Sequence, residues 1–397
     1  MDVLLDEQEA LIQGAIRDFL AHECMPLVTR AAEKEASGYS QPLWQNFTAG
    51  GWMGLSLPET YGGQGLPLPY LSLLFEELGR HIAPLPVHST LMPALIIAKY
   101  GTEWQKQQLL PAVTEGKLIL SFAVQEQGGR WSADAIKLLG QYKHGGIVLT
   151  GRKLFVTDFR NSGQCLVAFR WADGPEKGTV GLALVDVATA GITARNLAPL
   201  AKDQECDVTF DGVYVPVDKI LAGGAAAVDD LMDYAAVFLA CLMQGAARKT
   251  MELSAIYVSQ RDAFGQPIGA FQAIQHLAAD MLNAVDGIEL LSREAIWLLS
   301  ENLPARVEVA QAKAFANEKS LFVCRSSQQM HGGIGFIAEC DINLWYRKVA
   351  SWGLRGGTKY EHRRLIARAL LDTHQTVRLG DTQSLHESSF GPIRVPD

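Results

Sequence analysis

Between Arg261 and Gln272 the chain gathers a cation, an aromatic ring and an amide around a Gly/Pro turn: Arg261-Asp262-Ala263-Phe264-Gly265-Gln266-Pro267-Ile268, then Phe271-Gln272. An arginine in such a place can pair with phosphate oxygens, the Phe264 ring can pack on a heterocycle, and Gln272 can bond ring or phosphate edges. Taken alone, the same residues equally make a structural turn with a surface arginine. Two further segments stand out, the glycine-rich Gln329-Met330-His331-Gly332-Gly333-Ile334-Gly335 and the loop Trp352-Gly353-Leu354-Arg355-Gly356-Gly357-Thr358. The six cysteines (Cys24, Cys165, Cys206, Cys241, Cys324, Cys340) include no C-x-x-C pair, and no histidine stands at metal-ligand spacing. They read as free thiols in a reducing compartment, and no metal site is expected.

Helical periodicity places the elements that must carry these segments. Leu11, Ile12, Ala15, Ile16, Phe19 and Leu20 mark one face of a helix over 6–21, and similar patterns recur over 41–49, 70–80, 90–99 and 103–114. Short β-branched runs replace them over 146–150, 154–157, 165–170, 180–187 and 208–215, and Asp211-Gly212 reads as a two-residue hairpin turn. After Gly223-Gly224, long helices are expected over 228–260, 270–301, 305–330 and 359–371. The fold class is therefore α+β and mostly α. It divides into an N-terminal helical domain over 1–120, a β-barrel-like domain over 121–225, a four-helix bundle over 226–372 and an irregular tail over 373–397. A cleft between the β domain and the bundle is a natural ligand site.

Composition narrows the function classes. Apolar residues make up 48% and charged residues 20%, as in soluble globular proteins, and the net charge of −8 shows no basic stripe for nucleic acid. No signal peptide and no apolar run of membrane-spanning length is visible, so a cytoplasmic protein without membrane insertion is expected.

The first segment meets the signature R-x-x-F-G-x-P-I-x-x-F-Q position by position, the second meets Q-x-x-G-G-x-G, and the segment running to Gly357-Thr358 and on to Arg368 follows without a gap. In these motifs, and in its order of helical, β and helical regions, nearly the whole chain resembles the acyl-CoA dehydrogenase family. The resemblance implies FAD lying extended across a subunit interface. It assigns cofactor contacts to Arg261, Phe264, Gln272, Gln329, Gly332 and Gly333, and extends them to Gly357 and Thr358. Glycines suit that role because a backbone without Cβ lets the dinucleotide approach closely. Phe155-Val156-Thr157 stands where the family has W-I-T, so Phe155 is expected against the flavin and Thr157 at its reactive edge. The family loop T-E-P-x-A-G-S-D has become Gln125-Glu126-Gln127-Gly128-Gly129-Arg130-Trp131-Ser132, which retains the acid and one glycine and suggests a modified or closed acyl site.

In the family, a carboxylate removes the α-proton of an acyl-CoA thioester while the β-hydrogen leaves as hydride to the flavin. Most members carry that Glu directly before Gly-Thr, which here is Gly356. Others carry it on the long bundle helix at the position of Ala235, followed by an arginine where this chain has Ala236. Both base positions are empty, so no catalytic residue is assigned. Asp233, two residues from Ala235, would point away from it on a helix, and Glu361 reads as a solvated helix acid.

The leading expectation is an FAD-binding subunit of an α,β-dehydrogenating enzyme of bacterial fatty acid or steroid catabolism. It most resembles base-lacking partners related to pimeloyl-CoA dehydrogenase small subunits and to heteromeric steroid-catabolic enzymes. Its expected associates are an acyl-CoA or an acyl-CoA-binding partner subunit, an acceptor such as an electron-transfer flavoprotein, and a homo- or hetero-tetramer. The alternatives are an active homo-oligomer with a displaced carboxylate, and a flavin-free structural subunit.

Overall fold

The computed structural model describes residues 4–372, so the expectation for the 373–397 tail lies outside the described residues. Capping fixes several helix starts. Asp6 and Glu9 form a capping box at α1 (Glu7–Glu23), Thr102 and Gln105 another at α6 (Glu103–Thr114), and between them lie α2 (Pro26–Ala32), α3 (Gln41–Ala49), α4 (Leu68–Arg80) and α5 (Val87–Tyr100). The helix α2 was not expected, because its seven residues are too few to display a periodic face.

Seven strands follow: β1 (Leu120–Ala123), β2 (Leu139–Lys143), β3 (Gly146–Thr157), β4 (Gln164–Trp171), β5 (Val180–Asp186), β6 (Ile192–Asn196) and β7 (Glu205–Pro216). They form one curled sheet in the order β1-β4-β2-β3-β7-β6, with β5 on β4. The Asp211-Gly212 hairpin is not formed. Both residues lie inside β7, where the pairing to β3 slips between Leu149↔Val213 and Gly151↔Phe210. Asp211 and Gly212 thus stand opposite Thr150 alone, a bulge that Gly212 accommodates at φ +67°. A bulge and a tight turn use the same dipeptide, and the long pairing with β3 decides between them.

The second helical region holds α7 (Gly224–Gln260), α8 (Gln272–Ser300), α9 (Arg306–His331), α10 (Ile342–Trp352) and α11 (Lys359–Leu371). The helix α10 adds to the four expected. One hydrophobic core runs from Ile16 and Phe47 through Phe75 to Phe238 and Ala312, so both helical regions share an interior. The crossing of α4 on α7 is backbone to backbone. A Cβ on Gly79 would lie 1.9 Å from the Leu242 carbonyl oxygen, and one on Gly245 would lie 1.8 Å from that of Glu76. No helix among the described residues is long and apolar enough to cross a membrane. All six cysteines are free thiols.

Candidate active site

A cavity of about 140 Å³ lies where α4, α5 and α7 face the end of β3. Phe155, Thr157, Ala235 and Gly356 all line it. The two positions where the resemblance expects a base therefore converge. A Cβ on Gly356 would sit 3.3 Å from Ala236 Cα and 3.0 Å from Leu239 Cδ1.

Gly356 is held in the left-handed region at φ +61° and Gly357 at +87°, which suits glycine at both. Buried side chains hold their carbonyls: His362 Nε2 lies 2.8 Å from Gly356 O, and Asn317 Nδ2 donates to Gly357 O at 3.0 Å. The His362 imidazole must donate to that carbonyl, and burial, aided by the Lys313 charge, pushes its pKa down to about 4. Beneath the loop, the fully buried Lys313 donates from Nζ to Asn317 Oδ1 at 2.5 Å and to Trp352 O at 3.0 Å. None of these partners is a carboxylate, and burial together with the Arg355 charge pushes the Lys313 pKa down to about 7.

Carboxylates do line the cavity, but each has an internal partner. Glu205 takes two hydrogen bonds from Arg355, at 2.5 and 2.6 Å, and Asp203 takes them from Lys348 Nζ at 2.6 Å and Ser351 Oγ at 3.0 Å. Asp158 accepts from Ser89 Oγ at 2.6 Å and from Asn161 at 3.3 Å, while burial pushes its pKa up to about 6. The Arg355 guanidinium also lies 4.1 Å from the centre of the Phe155 ring, so one face of that ring carries a cation. Phe155 itself sits at φ +56°, a strained setting for an aromatic residue.

The displaced acids considered from sequence are not in the cavity wall. Asp233 does not line it, and burial pushes its pKa up to about 7 against the opposing pull of Arg306. Glu361 is not a solvated acid. It closes the capping box of α11, accepting from Thr358 N and Oγ1 at 2.7 Å, and also accepts from Trp131 N at 2.7 Å. Burial opposes its ionisation, but these hydrogen bonds prevail and lower its pKa. The altered 125–132 loop is thereby tied to the loop bearing Gly356. Glu126, the acid that loop retains, is likewise structural, paired with the fully buried Lys153 at 2.7 Å and accepting from the backbone of Lys137 and Leu138.

The other sequence-singled residues collect at one end of the bundle. Phe264 and Gly265 form the two-residue turn between β8 (Asp262–Ala263) and β9 (Gln266–Pro267), with φ +57° and +83°, and Phe264 is 94% exposed. Stacking of Tyr257 on His331, with centroids 4.2 Å apart, brings this turn beside the end of α9. Arg261, Gln272, Gln329, Gly332 and Gly333 are exposed there. Nothing lies within 4 Å of a Cβ placed on Gly265, Gly332 or Gly333, so the surface is open to a close-lying extended ligand. Gln329 also lines, with Thr358, a groove of about 540 Å³ between α9 and α11. An aromatic ring held outward at positive φ, an exposed arginine and unobstructed glycines fit a dinucleotide's phosphates and base. None of these bundle-end residues lines the cavity that contains Phe155 and Thr157.

The model for the acyl-CoA dehydrogenase N-terminal domain matches residues 6–117, and that for the C-terminal domain matches residues 222–371. The chain belongs to the acyl-CoA dehydrogenase family. This family member is 26% identical over 384 residues to the probable acyl-CoA dehydrogenase YngJ of Bacillus subtilis, covering 94% of this chain and 100% of YngJ. A solved variant of the Tcur3481-Tcur3483 steroid ACAD is 29% identical, with a TM-score of 0.85 over 92% of this chain and 98% of that one. The ChsE4-ChsE5 complex from Mycobacterium tuberculosis, 22% identical, shares the fold with a TM-score of 0.88 over 94% of this chain and 100% of that one. Acyl-CoA dehydrogenases are oxidoreductases acting on a CH–CH bond.

Sequence reasoning did not find His88, Asp158, Glu205 or Lys313. All four are brought to the site by tertiary packing, and none sits in a motif.

Proposed function

We propose that this chain is the FAD-binding, base-lacking subunit of a heteromeric acyl-CoA dehydrogenase, and that a partner subunit supplies the carboxylate for α,β-dehydrogenation of an acyl-CoA. The observation that carries this reading is the convergence of Ala235 and Gly356 on one cavity whose carboxylates all have internal partners. The pairing of two components in the Tcur3481-Tcur3483 relative supports it. FAD supplies the hydride acceptor of such a reaction. Arg261, Phe264, Gln272, Gln329, Gly332 and Gly333 would hold its phosphates and adenine, with Gly357 and Thr358 on the connecting loop and Phe155 and Thr157 toward its ring. The assembly is read as a tetramer working in the cytoplasm, with an electron-transfer flavoprotein as the acceptor class.

A second reading is favoured by Asp158, a cavity carboxylate whose pKa, pushed up by burial to about 6, suits a general base. One experiment separates the two. The purified chain is assayed with acyl-CoAs and an artificial electron acceptor, alone and with a base-bearing homologue encoded nearby. Turnover is expected only in the mixture. Turnover by the chain alone, abolished by Asp158→Asn, would instead establish the self-sufficient enzyme.

A further inference from the structure

The faces that α4, α5 and α7 present to the cavity are apolar except at two adjacent positions of α5, Ser89 and His88, whereas the charged lining groups come from α10 and from the loops and strands. Ser89 has its partners already, donating toward Asp158 and the Pro86 carbonyl. His88 Nε2 lies 3.0 Å from the Ala235 carbonyl oxygen, which can only accept, so Nε2 carries the ring hydrogen and Nδ1 is left as an acceptor. Among the described residues no group donates to Nδ1. The ring is fixed in orientation by Phe75, edge-on at 5.9 Å between centroids, and by Phe122 at 5.8 Å. Burial keeps it neutral, with a pKa pushed down to about 4, so it does not acquire a charge near neutral pH.

The cavity's volume of about 140 Å³ is that of a single six-membered ring or a short branched chain. The apolar faces of α4, α5 and α7, with one fixed, uncharged acceptor among them, match a compact apolar group bearing one hydroxyl donor. We infer that His88 is a specificity-determining acceptor that selects such a hydroxylated group over its deoxygenated counterpart. The group could arrive on a thioester, in which case the inference rests on the acyl-CoA dehydrogenase reading, or as a free small molecule. It requires no base in the cavity.

Calorimetric binding to the full-length chain tests this with two matched pairs, phenol against toluene and 3-hydroxybutyryl-CoA against butyryl-CoA. One hydrogen bond predicts a preference of roughly three- to tenfold in Kd for the hydroxylated member of at least one pair. Selectivity in the phenol pair alone identifies a free ligand, and selectivity in the thioester pair identifies an acyl group. His88→Leu should abolish the preference, and His88→Gln, whose amide oxygen can still accept, should keep part of it. Equal affinity within both pairs, no binding of any probe, or a preference that survives in His88→Leu overturns the inference. Turnover by the chain alone would overturn the base-lacking reading while leaving these Kd ratios unchanged, so the two failures are distinguishable.

Discussion

Replacing Lys313 by methionine should change how the protein's stability responds to pH. Lys313 is fully buried, and its pKa falls from 10.5 to about 7 in the fold. Below pH 7 the ammonium is charged in both folded and unfolded states, and the folded state bears the full desolvation penalty. Above pH 7 the folded amine is already neutral while the unfolded one still binds a proton. Stability therefore rises with pH by about 1.4 kcal/mol per unit until pH nears the unfolded value. From pH 7.5 to 9.5 the wild type should gain about 2.5 kcal/mol relative to Lys313→Met. The substitution also strands the Trp352 carbonyl and Asn317 Oδ1, at about 1–3 kcal/mol, but that loss is independent of pH and sets the offset rather than the slope. Urea unfolding of both proteins across this range reads the difference directly, since other titrating groups cancel. A difference that changes by less than about 0.5 kcal/mol would refute the assignment of a desolvated, uncompensated lysine beneath the Gly356 loop.

Two further outcomes are expected. Arg355→Ala leaves the Glu205 carboxylate, whose side chain is only 2% exposed, without its partner. It should destabilise the protein by roughly 3 kcal/mol in urea denaturation, most of it recovered when Glu205→Met is combined with Arg355→Met. Arg261→Ala should weaken FAD retention about tenfold or more, followed as flavin absorbance after gel filtration, because a charge-assisted phosphate contact is lost. Unchanged retention would remove Arg261 from the proposed cofactor contacts.

The helices were legible because their apolar faces repeat at helical spacing, and α3, α6 and α11 begin and end where their caps and breakers indicate. The helix α10 was missed because its 11 residues sit between two glycine-bearing loops and were read as part of a motif. Gly356 and Ala235, the two positions where the family resemblance expects a base, could be named from the sequence alone. Their convergence on one cavity could not, because it depends on where the α10–α11 loop meets α7. Lys313 and Lys153 were invisible for a physical reason. Lysine is almost always exposed, and only tertiary packing reveals one whose ammonium is enclosed. Glu361 was read as a solvated helix acid although the Thr358-x-x-Glu361 capping box that engages its carboxylate is present in the sequence.

The reciprocal notch formed by Gly79 and Gly245 has a bearing on how this cavity can change. With each Cα pressed against the opposite helix's carbonyl, α4 cannot slide or rotate on α7 without collision, and neither glycine can accept even an alanine. The helical side of the cavity thus behaves as a fixed frame. Exchanging Phe75, Leu78, Leu239 or Leu242 resizes the opening within it, so a different ligand preference could be grafted as a handful of side chains with no backbone redesign.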